Sequence, residues 1–297
     1  SVVLGSVHGV ILSFIAFLGF IFLRIVRTDP SAEGMLLALP ITLFIGFIVL
    51  ILVVPAGYAA LAQPIVETAA VAAPILAGRA NGSAMVSTDL GGPIVAWAAH
   101  ADHLLLTNSD NQLVVVDPAE VDIEPVDTVD RARRAGRIST VPASAEPVDA
   151  DRGLAFDRGA WGTAAFLVGM SQRMLDMTVD YVTQREQFGV PIGSFQAIKH
   201  HLADAATHIG FARPLVYQAA WSLAVDDPDR SRDVSAAKAL ASDTAELVGR
   251  KALQCHGAIG YTLEADLHLY LKRTWALARS WGDAAWHRDR IGDTLGI

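Results

Sequence analysis

The run Arg185-Glu186-Gln187-Phe188-Gly189-Val190-Pro191-Ile192-Gly193-Ser194-Phe195-Gln196-Ala197-Ile198-Lys199-His200 constrains this chain most, because it forces one long helix to end and another to begin. Upstream of it, Phe166, Met170, Met174, Met177 and Tyr181 recur at helical spacing. Gly189 and Pro191 deny the backbone another turn, and Ser194 stands where an N-cap is expected. Arg185 and Phe188 are left at a helix terminus. Gln196 opens the next helix, whose first backbone N–H groups favour an anion. Cation, aromatic ring and free amides suit a phosphate-bearing ligand. The same residues also fit a plain interhelical loop with a solvated arginine, and spacing alone leaves both readings open.

The remaining periodicity after residue 149 gives a helical bundle. Helices are expected over roughly 157–184, 195–225, 231–255 and 264–278, with a last one from about Gly282. Asp226-Asp227-Pro228 and the stretch 257–261 are the stops between them. Much of the 52% apolar content is alanine, which suits helices packed at short interaxial distance. Between 83 and 148 the pattern changes to short apolar runs: 84–87, 94–97, 103–106 and 112–116 read as strands. Gly91-Gly92-Pro93 and Asn108-Ser109-Asp110-Asn111 supply turns, so a small antiparallel sheet or barrel is expected, and the Pro142 to Pro147 stretch reads as a linker. The fold class is therefore α+β, mostly α. It comprises an N-terminal apolar helical hairpin (1–62), a segment with a small antiparallel β-domain (63–148), and a four-helix-bundle-type domain (149–297).

The hairpin rests on two nearly pure apolar runs, Val10 to Val26 and Met35 to Ala60, each long enough to span a bilayer. Arg24 and Arg27 flank the first and place the connecting loop on the cytoplasmic side. A pair of core helices buried in a larger assembly is the alternative. A single cysteine, Cys255, rules out an internal disulfide framework and is compatible with the cytoplasm, with attachment to its membrane through residues 10–60. The net charge of −8 argues against a nucleic-acid partner.

The pattern Gln-Arg-x-Gln-Phe-Gly-x-x-Ile-Gly-x-Phe-Gln-x-x-x-His, continued by His201-Leu202-Ala203-Asp204, resembles the flavin-binding signature of acyl-CoA dehydrogenases. From about Gly153 to Ile297 the order of helices and turn residues is similar to that family's C-terminal domain. The resemblance also identifies the start of the 63–148 segment as the remnant of the family's N-terminal helical domain. The resemblance implies FAD as cofactor, with Arg185, Phe188 and Gln196 on its ADP part. The stretch Gln254-Cys255-His256-Gly257-Ala258-Ile259-Gly260-Tyr261 resembles the family's second flavin-contacting turn, where Gln254 and Gly257 approach the cofactor of a neighbouring subunit. Without the family it reads as a helix C-cap at Gly257. In the β-domain, Ser87, Thr88 and Trp97 are candidates for contact with the flavin ring. The family's reaction implies an acyl-CoA substrate, an electron-transfer acceptor, and a homo- or hetero-oligomer with another acyl-CoA dehydrogenase-like subunit.

The catalytic base is where this sequence departs from the family. The usual glutamate begins a Glu-Gly-Thr turn before the last helix, and here Ser280-Trp281-Gly282-Asp283-Ala284 puts Trp281 in its place. Some members carry the glutamate near the start of the first bundle helix, where glycine aligns with it in Phe156-Asp157-Arg158-Gly159-Ala160. Asp283 is the catalytic candidate that remains, with Asp157 behind it, each displaced and one methylene shorter. Three readings follow: a flavin-dependent enzyme that dehydrogenates an acyl-CoA thioester across its α,β bond, a non-catalytic partner subunit that completes a neighbour's flavin site, or a membrane-attached scaffolding module. His200, Asp204 and His208 share one helix face but find no third strong ligand nearby, so no metal site is expected. Ser235-Ala236-Ala237-Lys238 fits a Ser-x-x-Lys pattern without its companion motifs.

Overall fold

The computed structural model describes residues 51–76 and 84–296. Five helices carry the bundle: α1 (Arg152–Gln184), α2 (Gln196–Ala224), α3 (Arg230–His256), α4 (Leu267–Arg279) and α5 (Ala284–Leu295). They match the expected helices, with α1 starting five residues earlier because the Asp151 carboxylate caps it through the Gly153 and Leu154 N–H groups. Short connections make α1, α2 and α3 successive antiparallel neighbours. α3 lies at the centre, against α1, α2, α4 and α5. Its buried seam is Val234, Ala237, Ala241, Ala245, Val248 and Ala252, which is the alanine packing read from composition. Ser194 is not the N-cap of α2. Phe195 holds that position without a side-chain cap, and the Ser194 hydroxyl donates to the Pro191 carbonyl at 2.7 Å.

Before the bundle stand a four-stranded sheet, β1 (Val86–Thr88), β2 (His103–Thr107), β3 (Leu113–Val116) and β6 (Glu146–Pro147), and a separate pair, β4 (Ile123–Pro125) with β5 (Gly136–Ile138). The expected sheet is corrected in three places. β1 runs parallel to β2, in register Val86 with His103, so the sheet is mixed. The run 94–97 forms only a bridge from Val95 to Gly136, because Trp97 turns into the left-handed region at φ 61°. Part of the presumed linker becomes β6, an edge position that tolerates Pro147. Side chains of β2 alternate in the usual way. Leu105 joins the bundle core, while Leu104 and Leu106 join a second cluster with Val95, Ala98, Val114 and Val116.

The membrane hairpin finds no support. Residues 1–50 lie outside the described residues, and among the described ones no helix is long and apolar enough to cross a membrane. The end of the second apolar run, helical over 51–58, packs Val53 and Ala56 into the bundle core. Gly57 and Gly169 let its backbone meet α1 so closely that a Cβ at either would overlap main-chain atoms of the other helix. The Tyr270 hydroxyl donates to Tyr58 O at 3.1 Å and fixes the same segment to α4. A π-helix, Val66–Ala72, follows and also packs on α1.

Candidate functional site

The residues singled out by sequence gather at the two opposite ends of the bundle. At one end, α1 runs into a two-residue hairpin, β7 (Glu186–Gln187) and β8 (Val190–Pro191). Phe188 and Gly189 form its turn, both at positive φ (57° and 80°), as a tight hairpin with right-handed strand twist requires. This turn puts the Phe188 ring almost wholly in solvent, 94% exposed, and edge-on to Phe195 at 6.2 Å. Arg185 sits at the base of the hairpin as the C-cap of α1, and its carbonyl accepts from Ile192 N–H at 2.8 Å. Gln196 is the first residue of α2 and is exposed.

The second expected segment comes to the same end. α3 terminates there, and Gly257 takes a φ of 64° with open space where a Cβ would stand. The His256 imidazole stacks on Tyr181 of α1 at 4.5 Å, and Lys251 of α3 bonds Asp204 (3.1 Å) and His201 (3.3 Å) of α2. Gln254 is exposed beside them, whereas Cys255 and His256 point inward, and burial raises the thiol pKa and lowers that of the imidazole. Arg185, Phe188, Gln196, Gln254 and Gly257 therefore share one end, with their polar groups turned outward. Asp204, half-buried, is held below the ordinary carboxylate range by its hydrogen bond from Lys251, and His208 contacts the same carboxylate. No cluster of metal-ligating side chains occurs among the described residues.

At the other end lies Trp281, on the loop between α4 and α5. Its backbone is left-handed, φ 61°, followed by Gly282 at 82°. The indole is 2% exposed and fills the space beside Gly159 of α1, where a Cβ would overlap the ring. A Cβ at Gly91 of the β-domain would come within 2.9 Å of the same ring, and Trp281 N–H donates to Gly91 O at 2.9 Å. Phe156 closes the side, its ring 5.9 Å away. Both positions that the resemblance links to a glutamate thus meet in one contact, as an indole and the glycine that accommodates it.

A buried polar network holds this loop in place. Lys238, fully buried, donates to Gly282 O (2.9 Å), Ala278 O (3.2 Å) and Ser242 Oγ (3.0 Å). His287, also fully buried, bonds Trp281 O through Nε2 (2.8 Å) and Ser235 Oγ through Nδ1 (3.1 Å). The carbonyl can only accept, so Nε2 carries the proton and the Ser235 hydroxyl donates to Nδ1. Burial pushes Lys238 down to about 7 against the pull of Asp283 and Asp243. It pushes His287 down to about 4, with the neighbouring Lys238 charge adding to it. Asp157 is buried and held by Arg290 (2.6 Å) and Ser231 (2.7 Å). Asp283 is the N-cap of α5, its carboxylate accepting from Trp286 N–H at 2.9 Å. Ser235 and Lys238 belong to this network through separate partners, His287 for the first and the Ala278 and Gly282 carbonyls for the second. In the β-domain, Ser87 donates to Ala96 O and Thr88 accepts from Leu90 N–H at 3.2 Å, so both hydroxyls are engaged internally.

An antiparallel helical bundle with a hairpin-borne arginine and phenylalanine at one end and a small β-domain at the other defines the acyl-CoA dehydrogenase class of fold. Residues 152–296 match the family model described as acyl-CoA dehydrogenase, C-terminal domain. It is 40% identical over 150 residues to the acyl-CoA dehydrogenase IpdE2 of Mycobacterium tuberculosis, covering 50% of this chain and 44% of the relative. To IpdE2 of Mycolicibacterium smegmatis it is 38% identical over 159 residues, covering 54% of this chain and 48% of that one. The chain thus spans less than half the length of these curated relatives. The ChsE4-ChsE5 complex of Mycobacterium tuberculosis contains a chain of the same fold: TM-score 0.75, 21% identity, 95% of this chain and 97% of that one covered. A chain of the Tcur3481-Tcur3483 steroid acyl-CoA dehydrogenase gives a TM-score of 0.72 at 20% identity, with coverage of 99% and 98%. FAD is the cofactor of this family.

Proposed function

We propose that this chain is a non-catalytic subunit of a heteromeric acyl-CoA dehydrogenase and lends its hairpin end to the FAD site of a partner with the same fold. The observation that carries this reading is Trp281 packed on Gly159. A base in this reaction must be a carboxylate with room beside it for an acyl thioester, and an indole has no acceptor and occupies that room. The hairpin end, by contrast, has what an ADP moiety requires. Arg185 supplies a fork of donors, Phe188 an exposed ring face, Gln196 an amide beside the free N–H groups of α2, and Gln254 a further amide where Gly257 leaves the approach open. Bound FAD would supply the hydride acceptor for α,β-dehydrogenation of an acyl-CoA.

The distance between the two ends supports a shared site. At 1.5 Å per residue, the length of α1 separates Gly159 from Arg185 by about 40 Å, more than one extended dinucleotide reaches. One chain's hairpin therefore serves a flavin whose reactive ring lies against another chain. Exposed Phe188, Val190, Phe195, Tyr261 and Leu263 around the hairpin and the end of α3 leave apolar surface for that neighbour to cover. The alternative, that the chain itself dehydrogenates a thioester with Asp283 as base, has weaker support. That carboxylate caps α5, and Trp281 stands in the family's glutamate position.

The test is turnover by the full chain with FAD and an artificial electron acceptor, across acyl-CoA thioesters of different chain length and bulk. No turnover is expected. Turnover that disappears in Asp283→Asn would overturn the proposal and make Asp283 the base.

A further inference from the structure

A second charged site lies in the β-domain, on residues distinct from those around Arg185 and Trp281. A cavity of about 550 Å³ opens between the loop at 98–100 and the β4–β5 hairpin. His100, Arg131 and Arg134 line it on a floor that includes Ile123 and Val126, with Asp127 as its one acidic side chain. Neither Arg131 nor Arg134 has a carboxylate within ion-pair distance among the described residues. In a chain of net charge −8, two unpaired guanidiniums and an imidazole on one cavity are a local reversal of sign.

The backbone is arranged to aim these groups. Trp97 and Arg134 are both non-glycine residues in the left-handed region, at φ 61° and 44°. Such a conformation costs of order 1–2 kcal/mol per residue and persists only where surrounding contacts impose it. The contacts are present here: Trp97 N–H donates to Arg133 O at 2.8 Å, Val95 and Gly136 exchange hydrogen bonds of 2.8 and 2.9 Å, and Val126 N–H donates to Ala135 O at 2.9 Å. The result is a stack in which the Arg134 guanidinium lies 4.8 Å from the Trp97 ring centre and His100 meets the same indole edge-on at 5.9 Å. An exposed arginine whose guanidinium packs against an indole retains N–H donors that can bind phosphate oxygens in pairs.

We infer that this cavity binds a phosphoryl group, held between Arg131 and Arg134 with His100 as third donor, and that Ile123 and Val126 take the apolar body of a phosphate ester. The volume matches that of a small-molecule site. The inference rests on Arg131, Arg134 and His100, none of which the flavin reading uses.

The experiment is calorimetric titration of the full chain with inorganic pyrophosphate and with AMP, at low ionic strength so that the charge contacts are not screened. The chain is compared with Arg131→Gln/Arg134→Asn. Asparagine tolerates the left-handed backbone, so the double variant keeps the loop while losing both guanidiniums. Arg131→Gln alone, at an exposed position, serves as a second variant with the fold unchanged. Both probes are expected to bind at least tenfold more weakly to the double variant and several-fold more weakly to Arg131→Gln. AMP binding tighter than pyrophosphate would assign the site to a nucleotide-type ester; equal binding would assign it to the free anion. Affinity unchanged by the double variant, or no binding of either probe, would overturn the inference.

Discussion

Trp281 and Gly159 are complementary. The indole occupies the volume that any side chain at 159 would need, and the loop residue and the helix residue lie 122 positions apart in the chain. Adding a methyl group in Gly159→Ala should therefore cost about 1–3 kcal/mol from overpacking, despite the better helix propensity of alanine. In a Trp281→Ala background the same change should be neutral or stabilising, because the ring is gone. Denaturant unfolding of the four proteins in the cycle measures the coupling. Additive effects would show that the indole does not pack as described.

The polar network behind Trp281 predicts a characteristic acid sensitivity. His287 is neutral in the fold, with a pKa pushed from 6.5 down to about 4. Between those values the unfolded chain takes up a proton that the folded chain does not, so stability is full above about pH 6.5 and falls as pH drops towards 4. The loss is on the order of 3 kcal/mol. His287→Gln should be less stable at pH 7, through loss of bonds to Trp281 O and Ser235, yet should show a flatter profile between pH 6.5 and 4. Parallel profiles for the two proteins would assign the acid limb to other groups.

A second buried pair joins the β-domain to the bundle. Arg273 of α4 is ion-paired with Asp130, both 7% exposed, and also donates to Leu61 O at 2.8 Å. Asp130→Ala strands a buried guanidinium and should destabilise the protein by about 3–5 kcal/mol. Adding Arg273→Met should recover much of that loss. Chemical unfolding of the single and double variants checks the order, and a double variant weaker than Asp130→Ala would contradict it.

The base position offers a gain-of-function test. Trp281→Glu places a carboxylate beside Phe156 and Gly159 and opens space for a thioester, whereas Trp281→Ala opens the space without a base. With flavin bound in the assembly, turnover should appear at this chain's own site in the first and not in the second. Equal activity in both would mean that space alone limits the reaction and that another residue supplies the base.

The hairpin end was legible in the sequence because its information is local: a helix stop, a glycine and a proline that bar a further turn, and a helix start lie within sixteen positions. Gln254 and Gly257 were legible for the same reason. The polar network was not. Ser235 and Lys238 look like ordinary helix residues, and their partners His287, Arg290 and the Gly282 carbonyl come from a loop and helix that only tertiary folding brings near. The parallel pairing of β1 with β2 was hidden because strands of three to five residues carry too little alternation to fix direction. Trp97 broke its expected strand through contacts with the β4–β5 hairpin about forty residues later. Trp281 was visible as a departure from the family pattern, but its meaning came from Gly159 and Gly91, which sequence spacing could not place against it.

The most direct test of the account is the flavin content of the complex formed with the product of a neighbouring gene, measured for the native chain and for Arg185→Ala. The account predicts no stoichiometric flavin on the native chain alone and about one FAD per pair of unlike subunits in the complex. It predicts flavin affinity about ten- to a hundredfold weaker when only this chain carries Arg185→Ala. One tightly bound flavin per native chain in the absence of a partner, or undiminished retention in the Arg185→Ala complex, would contradict it.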